Sequence, residues 1–457
     1  MMRTEGDLLA AEATYCSFGD TVHYCEPPKL FVGCDGSYLY DDQHVPYLDL
    51  QMWYSAVNFG YGNRRLNEAL KRQLDELPQL ASQYLHRSKI ELAQTIAQQA
   101  HARFGAPGRV HFNVGGAQAI EDSLKLVRNV QQRSLMFAFE GGYHGRTLGA
   151  SAITSSYRYR RRFGHFGERA CFLPFPYHFR APKGMSKEEY GHQCVRHLAR
   201  LFESEYNGLW DPAARQCEYA ALYVEPIQGT GGYVIPPRNF FAELKDVLDR
   251  HGVLLVVDEI QMGLYRTGKL WSIEHFGVTP DVLVFGKALT NGLNPLSGLW
   301  AKETLISPTV FPPGSTHSTF ASNPLGTAVG LEVMRMTEET DYESMVMARG
   351  EHFLCGLRDL QKRHPEIGDV DGLGLALRAE ICHADGFTPN KALLDRMVAI
   401  GLAGDLKHKG SRMGLVLDVG GYHKNVITFA PSLHITADEV DLALRLLDQL
   451  VTRAKSI

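Results

Sequence analysis

The chain has 457 residues, which is long for a single hydrophobic core, so we expect two or three packed subdomains. Hydrophobic residues make up 44% and charged residues 21% of the sequence, a composition that excludes the intrinsically disordered class. The 47 Lys and Arg residues are balanced by 51 Asp and Glu residues, giving a net charge of −4. This balance argues against nucleic-acid binding as the main function.

Targeting signals and cysteines favour a cytoplasmic protein. The N-terminal stretch MMRTEGDLLAAEA is acidic and lacks the apolar segment of a signal peptide. No window approaches the roughly 18 apolar residues of a membrane span, so we expect no membrane partner. The 8 cysteines are scattered without a CxxC pair, which argues against a metal cluster and against a disulfide framework.

The first predicted elements are short strands and one long helix. Residues 30–50 contain SYLY and YLDL, which predict strands joined by turns. Ser88 and Glu91 have the spacing of a capping box and predict the start of a helix. The apolar face of that helix is expected to consist of Ile90, Ala93, Ile96, Ala97 and Ala100.

From about residue 110 to 330, short apolar runs alternate with helical segments. The runs are RVHFNV, SLMFAFE, YAALYVEP, GVLLVVDE and VLVFGK. Runs this rich in β-branched residues and leucine are typical of parallel strands that helices cover on both faces. After about residue 340, amphipathic helices mix with a few strands, and Thr436 and Glu439 form a capping box before the last helix.

These patterns predict an α/β fold with a large domain, whose central sheet is mostly parallel, and a smaller α+β domain. We assign residues 76–340 to the large domain and residues 341–457 to the small one. Residues 1–75 are expected to form an N-terminal segment that packs with the small domain.

Two ionisable side chains end neighbouring apolar runs. Asp258 closes GVLLVVDE, and Lys287 closes VLVFGK behind a glycine. Ligands of an open α/β sheet collect outside the carboxyl ends of its strands. A lysine amine can form an imine with an aldehyde cofactor, and a carboxylate can keep a pyridine nitrogen protonated so that the ring accepts electrons. Alone, Lys287 would serve in an ion pair and Asp258 as a strand-end cap, but the pair predicts pyridoxal 5'-phosphate (PLP) chemistry.

Two glycine-rich turns could hold the rest of such a cofactor. FNVGGAQAIEDSLKLVRN (residues 112–129) predicts a strand, a turn and a helix, whose free N–H groups at Gly116 and Ala117 suit a phosphate. A plain tight turn explains the same glycines. In FEGGYHGRTLG (residues 139–149), Tyr143 could stack on a planar ring, while a tyrosine that anchors the loop is an equal alternative.

One competing motif is a phosphate-binding P-loop. Gly263 to Lys269 has the GxxxxGK spacing, and VLLVVDE resembles a Walker B strand. Residue 270 is leucine, however, where a P-loop has the Ser or Thr that binds magnesium, and no strand leads into the turn. The motifs GxSxG and HExxH do not occur, which weakens hydrolase and zinc-protease hypotheses.

Six longer motifs follow one another along the chain. They are FNVGGAQAIEDSLKLVR, FEGGYHGRTLGA, EPIQGTGG, VVDEIQMGLYRTG, VFGKALTNG and STFASNPLG. Together they resemble the class III (ω-type) aminotransferases, PLP enzymes of fold type I. The likeness runs from YLDL near residue 47 to APSLHIT near residue 436, nearly the whole chain.

The resemblance implies a role for each matching residue of the cofactor site. Lys287 matches the lysine that forms the Schiff base, and Asp258 matches the partner of the pyridine nitrogen. Gly116 and Ala117 fall on the phosphate-binding turn, and Tyr143 on the aromatic residue that stacks on the ring.

Three further residues are assigned by the resemblance alone. Gln261 matches a residue that approaches the ring hydroxyl. Thr319 falls where the family contributes a phosphate ligand from the neighbouring subunit, which implies a homodimer with composite active sites. Glu225 lies in a family motif, as a candidate for the substrate pocket without a defined role.

Two departures from the family bear on the substrate. Members that use α-amino acids often have an arginine just before the APPL-like stretch, to bind a carboxylate, and a glutamate in the EPIQGEGG-like motif that pairs with it. This chain has Thr428 and Thr230 at those positions. The resemblance therefore does not imply a pairing of an α-amino acid with 2-oxoglutarate.

Trp53 and Tyr54 match the stretch that lines the substrate side in relatives, although aromatic residues there could also be core. An aromatic lining without a carboxylate clamp favours an ω-amino compound or a simple amine as donor, with a small keto acid such as pyruvate as acceptor. Other cations could still bind a carboxylate, and the candidates are Arg87, Arg266 and Lys424.

We therefore predict a PLP-dependent aminotransferase that moves an amino group from an amine or ω-amino compound to a keto acid through a Schiff base on Lys287. A racemase, decarboxylase or lyase on the same fold stays open, because fold does not decide among these reactions. A non-catalytic PLP-binding regulator is disfavoured, since the lysine, the aspartate and the phosphate turn are all present and no DNA-binding domain is attached.

Overall fold

The computed structural model describes residues 4–19, 23–160, 163 and 170–456. The helices are α1 (Glu5–Tyr15), α2 (Met52–Ser55), α3 (Arg64–Glu76), α4 (Arg87–Phe104), α5 (Gly116–Gln131), α6 (Leu148–Ala152), α7 (Lys187–Arg200), α8 (Phe240–Arg250), α9 (Pro324–Glu339), α10 (Tyr342–Arg363), α11 (Lys391–Ala403) and α12 (Ala437–Lys455). The strands are β1 (Gly33–Asp35), β2 (Tyr38–Tyr40), β3 (Pro46–Asp49), β4 (Gly108–Asn113), β5 (Leu135–Phe139), β6 (Cys171–Leu173), β7 (Trp210–Asp211), β8 (Gln216–Cys217), β9 (Tyr219–Val224), β10 (Leu254–Asp258), β11 (Val282–Phe285), β12 (Ser297–Lys302), β13 (Ile367–Leu373), β14 (Ala376–Ile381), β15 (Leu406–His408), β16 (Ser411–Val416), β17 (Asp418–Gly420) and β18 (Val426–Phe429).

The large sheet has the order β4-β12-β11-β10-β9-β5-β6. Strand β12 runs antiparallel to both of its neighbours, and the other neighbouring strands are parallel. Each of the five apolar runs in the sequence forms one of these strands, β4, β5, β9, β10 or β11. The predicted mostly parallel central sheet is confirmed.

Strand β10 shows why these runs are apolar throughout. Leu255 and Val257 pack into the core cluster that includes Phe240 and Leu244 of α8. Val256, which points to the other face, packs into the cluster that includes Ile120 of α5. Because helices cover both faces, Leu255, Val256 and Val257 are all buried and none of these positions favours a polar residue.

Two smaller sheets lie in the terminal parts of the chain. One has the order β1-β2-β3-β16-β15, in which β3 pairs in parallel with β16, so the N-terminal and C-terminal segments share one sheet. The other is antiparallel, with the order β13-β14-β18-β17. We propose that the domain boundaries lie at residues 75 and 340. The pairing of β3 with β16 supports this proposal, because it joins the N-terminal segment to the C-terminal part of the chain.

The predicted cap of α4 is wrong, because Ser88 does not occupy the cap position. The cap is His86, whose backbone is extended and whose Nδ1 accepts the N–H of Lys89 at 3.3 Å. Ser88 instead lies inside the helix, where its hydroxyl is 2.9 Å from that of Thr327. His86 is outside the residue types that usually cap helices, so the sequence pattern favoured Ser88.

The apolar face of α4 also differs from the prediction. The buried residues of the helix are Ser88, Leu92, Ile96 and Ala100. Ala93 and Ala97 flank this face, whereas Ile90 is 50% exposed. The capping box of Thr436 and Glu439 before α12 is confirmed. None of the helices in the described ranges has the length and apolar character needed to cross a membrane.

Candidate active site

The pair predicted from the sequence meets at the carboxyl edge of the large sheet. Strands β10 and β11 are parallel neighbours, and Asp258 pairs in register with Val284. Lys287 follows β11 after Gly286 and starts a 3-10 turn over Lys287–Thr290, with a left-handed φ of 43°. A strained backbone conformation in a residue other than glycine is common at functional sites, because it fixes a side chain that packing alone would not place.

The amine of Lys287 lies in a buried environment. Its Nζ donates a hydrogen bond to Oε1 of Gln261 at 3.1 Å. Burial lowers the pKa of the Lys287 amine to about 8, against the opposing charge of Asp258 and of two further carboxylates. A pKa this low leaves part of the lysine neutral near neutral pH, as a nucleophile or a base requires.

Asp258 is buried and held at both carboxylate oxygens. Oδ1 accepts the backbone N–H of Ile260 at 3.0 Å, and Oδ2 is 2.8 Å from Nδ1 of His144. Because a carboxylate only accepts hydrogen bonds, Nδ1 of His144 carries the proton. This geometry makes His144 a positioning residue for Asp258.

The adjacent carboxylate of the same motif turns away from the site. Glu259 accepts hydrogen bonds from the hydroxyl of Ser272 at 2.7 Å and from the N–H of Ile273 at 2.8 Å. It therefore anchors the 3-10 turn of Ser272–Phe276 rather than serving the reaction. Alternation of side chains along an extended segment separates the two acids.

The phosphate turn has the geometry of an anion site. Helix α5 starts at Gly116, and its cap is Gly115, which has no side chain that could accept from the first turn. The backbone N–H groups of Gly116 and Ala117 have no acceptor among the described residues, whereas that of Ala119 donates to the carbonyl of Gly115. A Cβ on Gly116 would lie 2.9 Å from Cδ1 of Ile260, so glycine lets the turn approach the end of β10.

Glu225 has a positional role that the sequence did not reveal. Its carboxylate accepts the backbone N–H of Tyr143 at 2.8 Å and that of Gly229 at 2.8 Å. Burial raises the pKa of Glu225 to about 7, although the charge of His144 opposes this shift. Glu225 thus ties the loop of Tyr143 to the loop after β9.

Tyr143 and Gln261, the residues predicted to stack on the ring and to approach its hydroxyl, each contact another residue near the site. Tyr143 is half-buried, and its ring makes an edge-to-face contact with Tyr159 at 5.3 Å between centroids. Gln261 bridges Lys287 and Tyr233, because its Nε2 donates to the Tyr233 hydroxyl at 3.0 Å. Both assignments stay predictions.

Thr319 is exposed, and its hydroxyl has no hydrogen-bond partner within the part of the chain that the structure describes. The structure does not bring it together with the other predicted site residues through any contact. Its proposed role requires a second subunit.

Thr428, one of the two departures from the family, contacts a carboxylate that sequence reasoning missed. Thr428 donates a hydrogen bond from its hydroxyl to Oδ2 of Asp418 at 2.6 Å, across the pairing of β18 with β17. Burial raises the pKa of Asp418. The signal in the sequence was weak, because Asp418 is a single acid between the apolar run of residues 415–417 and Val419, which two glycines follow. Thr230 is the other departure, and its hydroxyl is buried without a hydrogen-bond partner among the described residues.

Trp53 and Tyr54 are held in an unusual turn. The four residues of α2 all have left-handed φ angles, from 42° at Met52 to 63° at Ser55. Each such residue costs about 1–2 kcal/mol relative to a right-handed one. Asp49 stabilises the turn by accepting the N–H of Met52 at 2.9 Å. Trp53 and Tyr54 remain 55% and 37% exposed, so this strained turn presents two aromatic rings rather than burying them in the core.

Arg146 is a cation beside Tyr143 that sequence reasoning also missed. Its guanidinium lies 4.6 Å from the ring centroid of Tyr159 and 6.0 Å from that of Tyr143. Burial raises the pKa of Tyr54, and the charge of Arg146 opposes this shift in part. The only signal was that Arg146 follows Tyr143 by three residues in the same loop.

Two of the cations considered from the sequence have other partners. Arg266 is completely buried and donates to Asn58 Oδ1 at 2.5 Å and to the carbonyl of Pro431 at 2.6 Å. Arg87 is exposed and lies 3.8 Å from Glu91. Lys424 has an electrostatic influence on the carboxyl of Asp418.

Comparison with known proteins decides the family. The model of the family described as aminotransferase class-III matches residues 26–451. The chain belongs to the class III aminotransferases. This confirms the predicted enzyme class, and with it PLP as the cofactor of this aminotransferase.

The relatives of this class III aminotransferase include more than one activity. It is 31% identical to an ornithine aminotransferase from Staphylococcus epidermidis, over 92% of this chain and 94% of the relative. It is 29% identical to an alanine/serine racemase from Pyrococcus horikoshii, over 91% of this chain and 84% of the relative. A solved (S)-enantioselective ω-transaminase from Thermomicrobium roseum superimposes with a TM-score of 0.86 at 26% identity, covering 100% of this chain and 99% of that one. These neighbours confirm PLP fold type I.

The residues present fit PLP. The free N–H groups at the start of α5 suit its phosphate, and the buried Asp258, fixed by His144, suits a protonated ring nitrogen. Lys287 lies at the same sheet edge, with a pKa lowered by burial that suits its aldehyde.

Proposed function

We propose that this aminotransferase takes the amino group of an ω-amino compound and transfers it to a small keto acid such as pyruvate. The observation that carries this proposal is the contact of Thr428 with the buried carboxylate of Asp418. Relatives that bind an α-carboxylate often have an arginine at the position of Thr428, whereas this chain has negative charge beside it. A donor that had to place a carboxylate at Thr428, where such relatives have the arginine, would be repelled there.

The cofactor end would work through residues of four segments. Bound PLP supplies an aldehyde and an electron-accepting ring. Lys287, which burial keeps partly neutral, would take the proton from the amine-bearing carbon of the donor and hold it on Nζ. Asp258 would hold a proton on the ring nitrogen, and His144 would keep the carboxylate oriented for that contact.

The remaining cofactor residues would bind and orient. Gly116 and Ala117 would donate their N–H groups to the phosphate. Tyr143, fixed through its backbone by Glu225, would cover one face of the ring. Gln261 would contact the ring hydroxyl from its position beside Nζ of Lys287.

Arg146 would recognise the far end of the donor. It is exposed and lies against the rings of Tyr159 and Tyr143. A guanidinium in such a position suits a carboxylate several carbons away from the reacting amine. The name of the ornithine aminotransferase among the relatives agrees with a donor that has a terminal amine.

We further propose a homodimer in which Thr319 contacts the phosphate bound by the partner. Thr319 is exposed, as is the large apolar side chain of Phe320 beside it, at 69%. Sedimentation should show a dimer, and dilution to monomer should release PLP. A monomer that retains PLP and full activity would contradict the composite site.

A cytoplasmic location remains part of the proposal. All 8 cysteines are free, including the buried Cys194, Cys217 and Cys382. Unpaired cysteines in this number suit a reducing compartment.

The test is to add single amines and amino acids to the PLP-loaded enzyme without an acceptor. We expect 6-aminohexanoate and related terminal amines to convert the absorbance of the aldehyde-derived form to that of the aminated cofactor. Circular dichroism of the amino acid measures the alternative. Loss of optical activity in alanine without any change in the cofactor would indicate a racemase and would contradict transamination.

A further inference from the structure

We propose that Asn291 is a positioning residue for the reaction, whose amide fixes the turn of Lys287 against the segment that follows Trp53 and Tyr54. The inference rests on the assignment of Lys287 in the proposed function and deepens it, since it concerns how that lysine is held. It does not depend on which amino donor the enzyme uses.

The turn of Lys287 has a left-handed residue at each end. Lys287 opens the 3-10 turn with a φ of 43°, and Asn291 ends it with a φ of 48°. The backbone N–H of Asn291 donates to the carbonyl of Ala288 at 3.0 Å. Asparagine adopts this conformation more readily than most residues, so the backbone alone can explain its presence at this position. The contacts of its side chain need a second explanation.

The buried side chain of Asn291 bonds to the backbone of a segment that is distant in sequence. Its Oδ1 accepts the N–H of Phe59 at 2.9 Å, and its Nδ2 donates to the carbonyl of Gly60 at 2.9 Å. Asparagine side chains in turns usually bond to nearby backbone groups, whereas these partners lie 232 and 231 residues away. The amide therefore joins two parts of the chain.

Gly292 makes a second contact between the same two segments. It has a φ of 73°, and a Cβ there would lie 2.9 Å from Cζ3 of Trp53 and 3.5 Å from Cγ2 of Val57. The ring of Trp53 thus packs directly on the backbone that follows Asn291. Together, the amide of Asn291 and the backbone of Gly292 hold the lysine turn against residues 53–60.

That segment is anchored independently, so it can act as a fixed support. Oδ1 of Asn58 accepts a hydrogen bond from the buried Arg266 at 2.5 Å, and the carbonyl of Asn58 accepts the N–H of Leu433 at 2.7 Å. Asp49 accepts the N–H of Met52 at 2.9 Å before the aromatic turn. None of these bonds involves the turn of Lys287.

The support matters because the conformation of Lys287 is strained. A left-handed residue other than glycine persists only where its surroundings fix it. Without the two bonds of Asn291, the turn could relax and carry Nζ of Lys287 away from Oε1 of Gln261, which now lies at 3.1 Å. A misplacement of about 1 Å can slow a reaction about hundredfold.

The first variant to test is Asn291→Gly, which allows the left-handed backbone and removes the amide. We expect kcat to fall by about tenfold to hundredfold. KM should change little, because Asn58 and Asp49 still anchor the aromatic segment. Steady-state kinetics with 6-aminohexanoate and pyruvate measure both constants.

Asn425→Gly is the matched control. It also removes a buried asparagine amide, which donates to the carbonyl of Ile381 at 2.7 Å in the C-terminal part of the chain. Its Tm should fall without a comparable loss of kcat, so the pair of variants separates a positioning role from general stability.

A second readout uses the enzyme without PLP. Reductive methylation with formaldehyde and cyanoborohydride is followed at Lys287 by mass spectrometry over a series of pH values. Burial lowers the pKa of the Lys287 amine to about 8. In Asn291→Gly the pKa should be higher, since the displaced amine gains solvent. Asn425→Gly should leave it unchanged.

A folded Asn291→Gly variant in which either kcat or the pKa of Lys287 matches that of Asn425→Gly would overturn the proposal. If Asn291→Gly does not fold, hydrogen exchange on the native chain gives the answer. Attachment of PLP to Lys287 should slow exchange of the Phe59 amide, which Asn291 accepts, more than that of amides in α12, because coupling between two sites is reciprocal. Equal slowing in both regions would overturn the proposal.

Failure of the Lys287 assignment is a distinct result. Borohydride would then fix PLP to a peptide of the native chain that lacks Lys287, before any Asn291 variant is compared.

Discussion

The cofactor end and the substrate end of the site are built in different ways. The cofactor end lies at the carboxyl edge of one sheet, where Asp258 and Lys287 follow neighbouring parallel strands. The substrate end that we propose draws on Tyr54, Arg146 and Asp418, from three segments that are distant in sequence, with Tyr24 bonded to both Tyr54 and Asp418. Short motifs at the edge of a sheet position the catalytic residues, whereas residues for substrate specificity come from segments that are separate in sequence.

Removal of the reacting amine at the cofactor end should have the largest effect. Lys287→Ala should lose PLP that borohydride can fix to the protein, and its rate should fall by roughly 10²–10⁴-fold, because the base is lost. Peptide mapping after borohydride treatment measures the attachment. Lys269→Ala is the control, since Lys269 pairs with Glu343 and belongs to the turn that only resembles a P-loop. A labelled peptide with another lysine would contradict the assignment.

The second prediction separates the two acids of the DE motif. Asp258→Asn should keep PLP but lose roughly hundredfold or more in kcat, because an amide cannot stabilise a protonated ring nitrogen. Glu259→Gln should instead lower Tm with little change in kcat, since Glu259 anchors Ser272 and Ile273. Absorbance after gel filtration measures the retained cofactor. Near-normal turnover in Asp258→Asn would count against its role.

The third prediction sharpens the substrate end. Arg146→Gln should raise KM for 6-aminohexanoate by about tenfold, since one charge-assisted contact is lost. Pentylamine lacks the carboxylate and serves as the internal control with the same variant. A KM that rises equally for both donors would indicate that Arg146 only supports Tyr143 and Tyr159.

The last prediction concerns the pH dependence of folding stability, through the buried carboxyl of Glu225. The pKa of Glu225 is raised by burial from 4.5 to about 7. Between these values the folded protein binds more protons than the unfolded chain, so this carboxyl stabilises the fold below pH 4.5 and loses that contribution as pH rises through about 7. In Glu225→Gln, the free energy of unfolding should fall less over this range, by up to about 3 kcal/mol. Denaturant titrations at a series of pH values measure both slopes, and identical slopes would contradict the shift.

Much of the fold and of the cofactor end could be predicted from sequence. Runs buried on both faces are apolar at every position, so strands such as β10 and β11 stand out, and the acid or amine at their end is conspicuous. Arg146 and Asp418 could not be found in this way. Asp418 contacts Gln51 and Tyr24, which are far away in sequence, and the local patterns around Arg146 and Asp418 are those of ordinary loop and strand-end residues.

The sequence rule for helix caps also failed at α4, because a histidine occupies the cap position. His86 caps α4 with a ring nitrogen, so the conventional capping residue Ser88 became part of the helix and bonded to α9. The exposure of Ile90 follows from the same shift, because the buried face is set by contact with α9 rather than by the most apolar residues of α4.

The most direct test of the account compares two donors on the enzyme with its native sequence. With pyruvate as acceptor, kcat/KM is measured for 6-aminohexanoate and for glutamate. The negative charge of Asp418 beside Thr428, with Arg146 at the far end, predicts a value at least tenfold higher for 6-aminohexanoate. A clear preference for glutamate would contradict the account, because it would require a cation beside Thr428 that binds the α-carboxylate.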